Sequence, residues 1–290
     1  MKILLTGSGG QLAQELEPIL LSVGEVIAGD RTLLDLSQPD SIRQLMGEIK
    51  PDLVINCAAY TAVDKAESEP ELANAVNGIA PGILAEECEK LGATLIHIST
   101  DYVFSGSQGY PYCETDSTNP LGVYGKSKLA GEFSIQEASD RHIIIRTAWV
   151  YGNGGKGNFV KTMLRLGKDR EEIRVVADQI GSPTWTGDLA AAISQITSCI
   201  KPEIFGTYHY TNSGVASWYD FAIAIFEEAK QLGFPLKVQR VIPIATPEYP
   251  TPAKRPAYSV LSSAKISAVL GNHPPHWREG LRKMLAREAK

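Results

Sequence analysis

Tyr124 and Lys128 lie four residues apart, so on a helix their side chains share one face. Thr100 follows the apolar run 94–98, at the predicted carboxyl end of a strand, where open α/β sheets bind ligands. A hydride that reaches a ketone carbon leaves an alkoxide, which needs a proton donor. We predict that Tyr124 donates this proton, that the Lys128 ammonium lowers the pKa of the phenol, and that the Thr100 hydroxyl holds the carbonyl oxygen. The Lys128 ammonium can also bind the ribose of a nicotinamide cofactor.

This spacing alone is weak evidence, because a half-buried tyrosine followed by a solvated lysine shows it equally well. A glycine-rich turn adds weight, since Gly7, Gly9 and Gly10 stand between a predicted strand and a predicted helix. Gly7 permits a tight turn, and Gly9 or Gly10 lets the backbone approach a pyrophosphate. Ala13 lets the helix pack closely on the strand. The turn predicts dinucleotide binding at the helix N-terminus; the alternative is a glycine-rich turn that binds nothing.

Asp30 ends the second predicted strand, where a carboxylate can accept hydrogen bonds from the ribose of an adenosine. Arg31 follows directly and could pair instead with a 2′-phosphate, so the sequence is compatible with NADH and with NADPH. Asp35 and Leu36 lie in the next loop, within reach of the adenine.

Apolar runs rich in Ile and Val alternate with helical patterns over the first 150 residues, which favours crossover units and a parallel sheet. The predicted strands there are 2–6, 25–28, 53–56, 94–99 and 143–147, and the predicted helices are 11–21, 41–49, 70–91 and 124–137. Later helices are predicted at 159–166, 188–200, 218–232 and 277–287, with short strands at 173–177 and 207–211. The predicted fold class is α/β, a Rossmann-like doubly wound parallel sheet with a smaller C-terminal α+β substrate lobe. We place the NAD(P)-binding domain at residues 1–150 and most of the substrate lobe at 151–290, with chain crossings between them left open.

Three segments are expected to depart from regular structure. Pro81 removes a backbone donor inside a helical pattern, so we expect a kink or a break there. The segment 151–157 has four glycines in seven residues and predicts a mobile loop beside a site. Six prolines between 235 and 256 exclude long helices and predict a rigid, extended wall.

The composition is that of an ordinary globular enzyme. The chain has 290 residues, with 28 Lys plus Arg against 33 Asp plus Glu, a formal charge of −5 and 43% hydrophobic residues. Disorder is excluded, and the absence of a cationic field argues against nucleic acid as a partner. The four cysteines are widely spaced and predict reduced thiols, and no apolar run is long enough for a membrane span or a secretory leader. We therefore expect a cytoplasmic protein with no membrane partner.

Several longer segments carry a resemblance to a known family. They are the glycine turn, YTAVDKAE from residue 60, STDYVF from residue 99, YGKSKLAGE from residue 124, RTAWVYG from residue 146 and YPTPAKRP from residue 249. The chain resembles the extended short-chain dehydrogenases/reductases and, more closely, the dTDP-4-dehydrorhamnose reductase family. The resemblance covers essentially the whole chain. It implies that NAD(P)H reduces the C4 ketone of dTDP-4-dehydro-6-deoxy-L-mannose to dTDP-L-rhamnose.

The resemblance also implies roles for individual residues. Tyr124 is the implied proton donor, Lys128 its activator and Thr100 the group that polarises the ketone. The implied substrate contacts are Thr100, Asp101, Tyr124 and Trp149, together with Arg255 on the nucleotide diphosphate. Together with the residue-based reasoning above, the expected cofactor-binding residues are Gly7, Gly9, Gly10, Gln11, Leu12, Asp30, Arg31, Asp35, Leu36, Ala58, Ala59, Tyr60, Thr61, Tyr124 and Lys128.

Some relatives hold a divalent cation at a dimer interface through acidic residues, and Glu15 and Asp188 match two of those positions. The chain has little tail beyond residue 286, so we predict no bound metal, and a Mg²⁺-bridged homodimer is kept as an alternative. The five histidines show no ligand spacing, and His97, on an apolar strand, is expected to be a core residue. Trp218 and Trp277 are expected to pack rather than bind.

Two other functions were weighed. The first is an epimerase or dehydratase acting on another nucleotide sugar, although the acidic pair typical of dehydratases is missing because Tyr102 follows Asp101. The second is a non-catalytic regulatory subunit of a methionine adenosyltransferase, against which the intact Tyr-Lys pair argues.

Overall fold

A parallel sheet forms the centre of the computed structural model, which describes residues 1–289. In chain order the strands are β1 (Lys2–Thr6), β2 (Glu25–Gly29), β3 (Leu53–Asn56), β4 (Thr94–Thr100), β5 (His142–Thr147), β6 (Val150–Tyr151), β7 (Glu172–Val176), β8 (Ile180–Gly181), β9 (Thr184–Trp185), β10 (Gly206–His209), β11 (Ala216–Ser217) and β12 (Arg240–Ile244). Six of them form one sheet in the order β10-β5-β4-β3-β1-β2. Every neighbouring pair in this sheet is parallel.

Helices cover both faces of this sheet. In chain order they are α1 (Gln11–Leu20), α2 (Pro39–Ile49), α3 (Val63–Ala66), α4 (Pro70–Asn74), α5 (Ala80–Leu91), α6 (Val123–Ala138), α7 (Phe159–Asp169), α8 (Thr186–Thr197), α9 (Trp218–Gln231), α10 (Ala264–Leu270) and α11 (Trp277–Glu288). One core packs α1 and α8 against the sheet, and a second packs α2 and α5 against its other face. The apolar strands are therefore buried on both sides, which confirms the predicted doubly wound α/β class.

The strand order reverses between β1 and β3, because the chain winds from β1 outward to β2 and then returns to β3. At such a reversal the connections on the two sides diverge and leave a crevice at the carboxyl ends of the strands. The glycine turn after β1 and the segment after β3 both open into this crevice.

A third core lies in the C-terminal half, where α7, α9 and α11 pack with β7 and the tryptophans at 185 and 277. Three two-stranded ladders accompany it: β12 with β7, β11 with β8, and β6 with β9. The chain also returns to the large sheet, since β10 pairs with β5 and α8 packs on α1. The domain boundary at residue 150 stays a prediction.

The helical stretch 70–91 is interrupted slightly before Pro81, by a five-residue π-helical segment at Ala75–Ile79. Pro81 has no N–H for the carbonyl four residues earlier, so widening the turn there relieves the missing bond. Between residues 235 and 256 the structure has only the strand β12 and a 3₁₀ turn at Thr246–Glu248, as the prolines predicted. In the glycine-rich loop Tyr151 belongs to β6, and the mobility of residues 152–157 stays a prediction.

Candidate active site

Gly7 shapes the turn after β1. Its φ of +74° lies in the left-handed region, and a Cβ there would stand 2.9 Å from the Ala58 backbone nitrogen. Only glycine therefore lets the turn lie against the end of β3. The Gly10 N–H donates to the Gly7 carbonyl at 2.8 Å, and α1 begins at the next residue without a side-chain cap. The first N–H groups of α1 thus remain available to an anion.

A cleft of about 410 Å³ opens beside this turn. Its lining contains these predicted cofactor residues: Gly7, Asp30, Arg31, Asp35, Leu36, Ala58, Ala59 and Tyr60. It also contains residues that were not predicted, namely Leu34, Cys57, Lys65, Glu69, Leu72 and Val76. Leu72 and Val76 lie on the segment after β3 and could have been recognised from their apolar spacing next to the YTAVDKAE motif. The cleft has the size and the small-residue floor that a dinucleotide needs.

The remaining predicted cofactor residues lie outside the lining of this cleft. Gly9 and Gly10 are exposed on the turn, and Thr61 is exposed after Tyr60. Leu12 is buried in the core against the sheet. The Gln11 side chain accepts a hydrogen bond from Asn158 Nδ2 at 2.7 Å, so the glycine-rich loop at 152–158 lies over the start of α1.

Asp30 and Arg31 both line the cleft, each with a partner of its own. The Asp30 carboxylate accepts from the Thr32 backbone N–H at 2.9 Å and from the Thr32 hydroxyl at 2.6 Å. These bonds lower the pKa of Asp30, which keeps the carboxylate charged at neutral pH. The exposed Arg31 guanidinium lies 3.4 Å from Asp35. A carboxylate suited to a ribose and a guanidinium suited to a phosphate therefore stand side by side.

Helix α6 brings Tyr124 to the end of β4. Gly125 allows this, since a Cβ there would meet the Tyr102 carbonyl oxygen. The rings of Tyr124 and Tyr102 meet edge to face, with centroids 5.5 Å apart. Thr100 ends β4 in the same place, close enough to the Tyr124 side chain for its hydroxyl to affect the pKa of the phenol. The structure thus brings the predicted proton donor and the predicted carbonyl-holding hydroxyl together.

The pKa of Tyr124 moves opposite to our expectation. Burial raises it to about 12, although the neighbouring Thr100 hydroxyl acts to lower it. The Lys128 ammonium was expected to lower this pKa, but in the structure it is turned toward His97 Nε2, at 3.0 Å, and the Ile98 carbonyl, at 2.6 Å. Burial also lowers the pKa of Lys128 itself to about 8. Desolvation therefore outweighs charge at this pair.

Asp101 lies beside Thr100 and is buried. Burial raises its pKa to about 6, while hydrogen bonds from Ser259 and Thr100 act in the opposite direction. The Thr100 hydroxyl donates to Asp101 Oδ1 at 3.0 Å, and within residues 1–289 Oδ2 has no hydrogen-bond partner. A buried oxygen without a partner at a strand end is unfavourable unless a ligand group satisfies it.

Trp149 forms one wall of the region near β8. Its φ of +49° is unusual for a residue with a large side chain. The indole stacks on Trp218 with ring centroids 3.5 Å apart and 4° between planes, and it lies directly over Gly181. Trp218 was expected only to pack, yet it supports the ring predicted to contact the sugar. Trp277 is buried in the C-terminal core, as expected.

Arg255 was predicted to bind a nucleotide diphosphate. In the structure its guanidinium instead forms an ion pair with Asp64, with Nη2 to Oδ2 at 2.8 Å, and Nη1 also donates to the Ala253 carbonyl. This pair joins two motifs that lie far apart in the sequence. A diphosphate would have to compete with the Asp64 carboxylate for the Arg255 guanidinium. The hydrogen bond from Arg255 lowers the pKa of Asp64.

Comparisons with known proteins agree with this geometry. A family model described as the RmlD substrate binding domain matches residues 1–290. The chain is 44% identical to dTDP-4-dehydrorhamnose reductase of Escherichia coli K12 over 292 residues, with 98% of this chain and 97% of the relative covered. The chain belongs to the dTDP-4-dehydrorhamnose reductase family.

Solved structures of this reductase family share the whole fold. A dTDP-4-dehydrorhamnose reductase of Clostridium acetobutylicum superposes with a TM-score of 0.93 at 41% identity, with 100% of both chains covered. The enzyme of Bacillus anthracis, solved in complex with NADP, gives a TM-score of 0.91 at 41% identity, with 99% of both chains covered. The predicted fold and family are confirmed.

The two acidic residues that match a cation site in some reductases are paired with cations of this chain. Arg287 Nη1 lies 2.9 Å from Glu15, and Lys283 Nζ lies 3.4 Å from Asp188. Within residues 1–289, no cluster of His, Cys, Asp and Glu is arranged to hold a metal ion. The absence of a bound metal nevertheless stays a prediction. No helix in the same range is long and apolar enough to cross a membrane.

Proposed function

We propose that this protein uses NAD(P)H to reduce the C4 ketone of dTDP-4-dehydro-6-deoxy-L-mannose to dTDP-L-rhamnose. The observation that carries the proposal is the meeting of Tyr124 and Thr100 at the carboxyl end of β4, beside the cleft at the β1/β3 crevice. The family assignment supports the substrate, and the NADP complex of the B. anthracis enzyme supports the cofactor.

The cleft suits the nucleotide half of the cofactor. Gly7 and the alanines after β3 leave its floor free of bulk, and the uncapped start of α1, which follows the glycine turn, has N–H groups that would bind the pyrophosphate. Asp30 would accept from the adenosine ribose, and Arg31 would pair with a 2′-phosphate. Both cofactors are therefore compatible with this site. Bound NAD(P)H supplies the hydride.

The residues at the end of β4 would handle the proton. The Thr100 hydroxyl would turn from Asp101 Oδ1, donate to the ketone oxygen and hold it beside the Tyr124 phenol. As C4 accepts the hydride, the phenol O–H bond breaks and its proton forms the new hydroxyl of the product. Because burial keeps the pKa of Tyr124 high, the phenol carries its proton throughout the neutral range. Trp149 and the unpartnered Asp101 Oδ2 would orient the sugar.

The test measures the loss of absorbance of NADPH or NADH with purified protein and dTDP-4-dehydro-6-deoxy-L-mannose, with dTDP-L-rhamnose identified as product. Tyr124→Phe is expected to reduce kcat by about 10² to 10⁴ and to leave cofactor binding intact. Tyr110→Phe is the matched control, because Tyr110 is exposed and distant from the cleft. An unchanged rate in Tyr124→Phe would remove this phenol from the mechanism. Cofactor binding without turnover in the folded wild type would favour another nucleotide sugar or a regulatory role.

Three further statements stay predictions under this proposal. Arg255 contacts the diphosphate by exchanging Asp64 for a phosphate. The protein is cytoplasmic, in keeping with the unpaired cysteines at 57, 88, 113 and 199. A homodimer is kept as an alternative to a monomer, and light scattering distinguishes the two.

A further inference from the structure

His97 is a buried histidine that touches Lys128. It lies on β4, three residues before Thr100, and its Nε2 is 3.0 Å from Lys128 Nζ. Both residues are 1% exposed. From the sequence, His97 was expected only to be a core residue. In the structure its ring contacts Lys128, which was predicted to take part in the reaction.

A row of polar side chains continues from His97 across the sheet. His97 pairs in register with Asn56 of β3, and Asn56 pairs in register with Thr6 of β1. Asn56 Nδ2 lies 3.0 Å from His97 Nδ1 on one side, and Asn56 Oδ1 accepts from the Thr6 hydroxyl at 2.7 Å on the other. Thr6 immediately precedes Gly7. The row therefore connects the base of the glycine turn to Lys128 through buried groups.

The chemistry of each group restricts the direction of these bonds. An ammonium can only donate, so a charged Lys128 requires His97 Nε2 to accept. In the neutral imidazole the proton then resides on Nδ1, and this requires the Asn56 carboxamide to turn by 180° so that its oxygen, rather than Nδ2, faces Nδ1–H. After this turn the Asn56 amide nitrogen would face the Thr6 hydroxyl, whose oxygen can accept. Either orientation of the carboxamide occupies the same space, so the orientation of Asn56 follows the tautomer of His97.

The ammonium has three donors, and the protein uses two of them. One goes to the Ile98 carbonyl at 2.6 Å and one goes to His97 Nε2. These two bonds fix the rotation of the ammonium about its terminal bond. Within residues 1–289 the third N–H has no hydrogen-bond partner.

We propose that His97, as the Nδ1–H tautomer whose Nε2 accepts from Lys128, is a positioning residue that fixes the Lys128 ammonium and keeps its remaining N–H for the reaction site. This inference rests on the proposed function for its consequence in turnover. His97 itself touches neither substrate nor cofactor in this arrangement. It acts through Lys128.

The other charged and titratable groups around Lys128 come from three elements. Glu132 lies one turn later on α6 and acts to raise the pKa of Lys128. Cys57 follows β3 and acts in the same direction, and Tyr124 lies one turn earlier on α6. His97 on β4 has a pKa well below its usual value because of burial and the nearby ammonium, so it remains neutral. The net effect is a pKa of about 8 for Lys128. Its positive charge therefore depends on the groups that accept hydrogen bonds from the ammonium.

The first measurement needs no substrate. In protein labelled with ¹⁵N-histidine, the ring nitrogens of His97 report its tautomer, and His97→Gln identifies the signals. We expect protonated Nδ1 and unprotonated Nε2 at neutral pH. A protonated Nε2 at neutral pH would overturn the inference, whatever the protein turns over.

The second measurement is the pH profile of kcat for wild type, His97→Leu and His97→Gln. Activity that depends on the ammonium falls as the pH rises through the pKa of Lys128. His97→Leu removes an acceptor for the charged form, so we expect its alkaline limb to move down by about one pH unit and kcat to fall by about 10- to 100-fold. Glutamine can accept through Oε1, so His97→Gln is expected to restore the limb.

His142→Leu is the matched control, since it also removes a buried histidine of the large sheet but one that is hydrogen-bonded to the Ser139 carbonyl. It is expected to leave the alkaline limb in place. The inference would be overturned if kcat of folded His97→Leu fell at the same alkaline pH as that of the wild type. It would also be overturned if kcat of His97→Leu and of His97→Gln fell at the same pH. Absence of turnover in the wild type would contradict the proposed function alone, because the tautomer measurement still decides the role of His97.

Discussion

Glu132 and Arg146 form a buried ion pair behind the site, and its removal offers a sharp test of the packing between α6 and the sheet. The Arg146 side chain is 6% exposed and that of Glu132 is 1% exposed. Arg146 Nε donates to both carboxylate oxygens at 3.0 and 3.1 Å, and Nη2 donates to Oε2 at 2.6 Å. The Ser99 hydroxyl donates to Oε1 at 2.5 Å. All the strong bonds of this carboxylate are therefore internal.

Glu132→Gln keeps the shape of the side chain and removes its charge, which leaves the Arg146 guanidinium buried without a counter-ion. Loss of one partner of such a pair costs about 3–5 kcal/mol in the free energy of unfolding. Urea denaturation measures this as a lower midpoint at an unchanged slope. The variant should also lower the pKa of Lys128, because Glu132 acts to raise it. The alkaline limb of the kcat profile is then expected to move to lower pH.

The exposed pair of Glu248 with Arg174 provides the control. It has a comparable distance of 2.6 Å, but its side chains are 48% and 57% exposed. Glu248→Gln is expected to cost less than about 1 kcal/mol, since water screens the pair. The double variant Glu132→Leu/Arg146→Met should lose less stability than Glu132→Gln, because no unpaired charge remains. Equal losses in Glu132→Gln and Glu248→Gln would refute the argument that desolvation determines the cost.

Two other predictions concern Asp101 and the pair Asp30 and Arg31. Burial raises the pKa of Asp101 to about 6, above its ordinary 3.8, so the folded state binds the extra proton between these values and is stabilised as the pH falls through that window. Asp101→Asn should abolish this gain, which urea midpoints measured on both sides of the window would show, and the same pH dependence in both proteins would contradict it. Asp30→Ala should weaken NADH more than NADPH, and Arg31→Ala the reverse, as measured by fluorescence titration. Equal losses for the two cofactors would show that neither side chain lies at the ribose.

The reacting residues could be predicted because their signals are local. Tyr124 and Lys128 share a helix face by spacing, and Thr100 follows an apolar run that could only be a strand end. The glycine turn carries its own conformational requirement at Gly7, which the structure confirms with a positive φ. These patterns depend on a few neighbouring residues and on the geometry of one element at a time.

The contacts that orient these residues could not be predicted in the same way. Arg255 and Asp64 meet across 191 positions of sequence, and nothing near either residue indicates the other. The direction of the Tyr124 pKa shift depends on how far the effect of burial outweighs the effect of nearby charge. The spacing of residues in the sequence does not show this balance. His97 did leave a signal, since a histidine within the run TLIHIST is a polar residue in a buried strand and needs a partner.

The orientation of α6 depends on polar pairs more than on apolar packing. His97 and Ser99 are two residues apart and share one face of β4, while Lys128 and Glu132 are four residues apart and share one face of α6. Four residues of helix advance about 6 Å, and two residues of a parallel strand advance about 6.6 Å. The pairs His97–Lys128 and Ser99–Glu132 can therefore form together only in one register.

Tyr124 lies a further four residues back on the same helix face. Because the register is set by the two buried pairs, a shift of α6 by one residue would break both of them and cost each of the four buried polar groups a hydrogen bond. Such a shift is far more costly than the small sliding that apolar side chains tolerate. The position of the phenol beside Thr100 is thus determined by buried hydrogen bonds one and two turns away, which is why substitutions at Ser99 and Glu132 should alter turnover without touching the substrate.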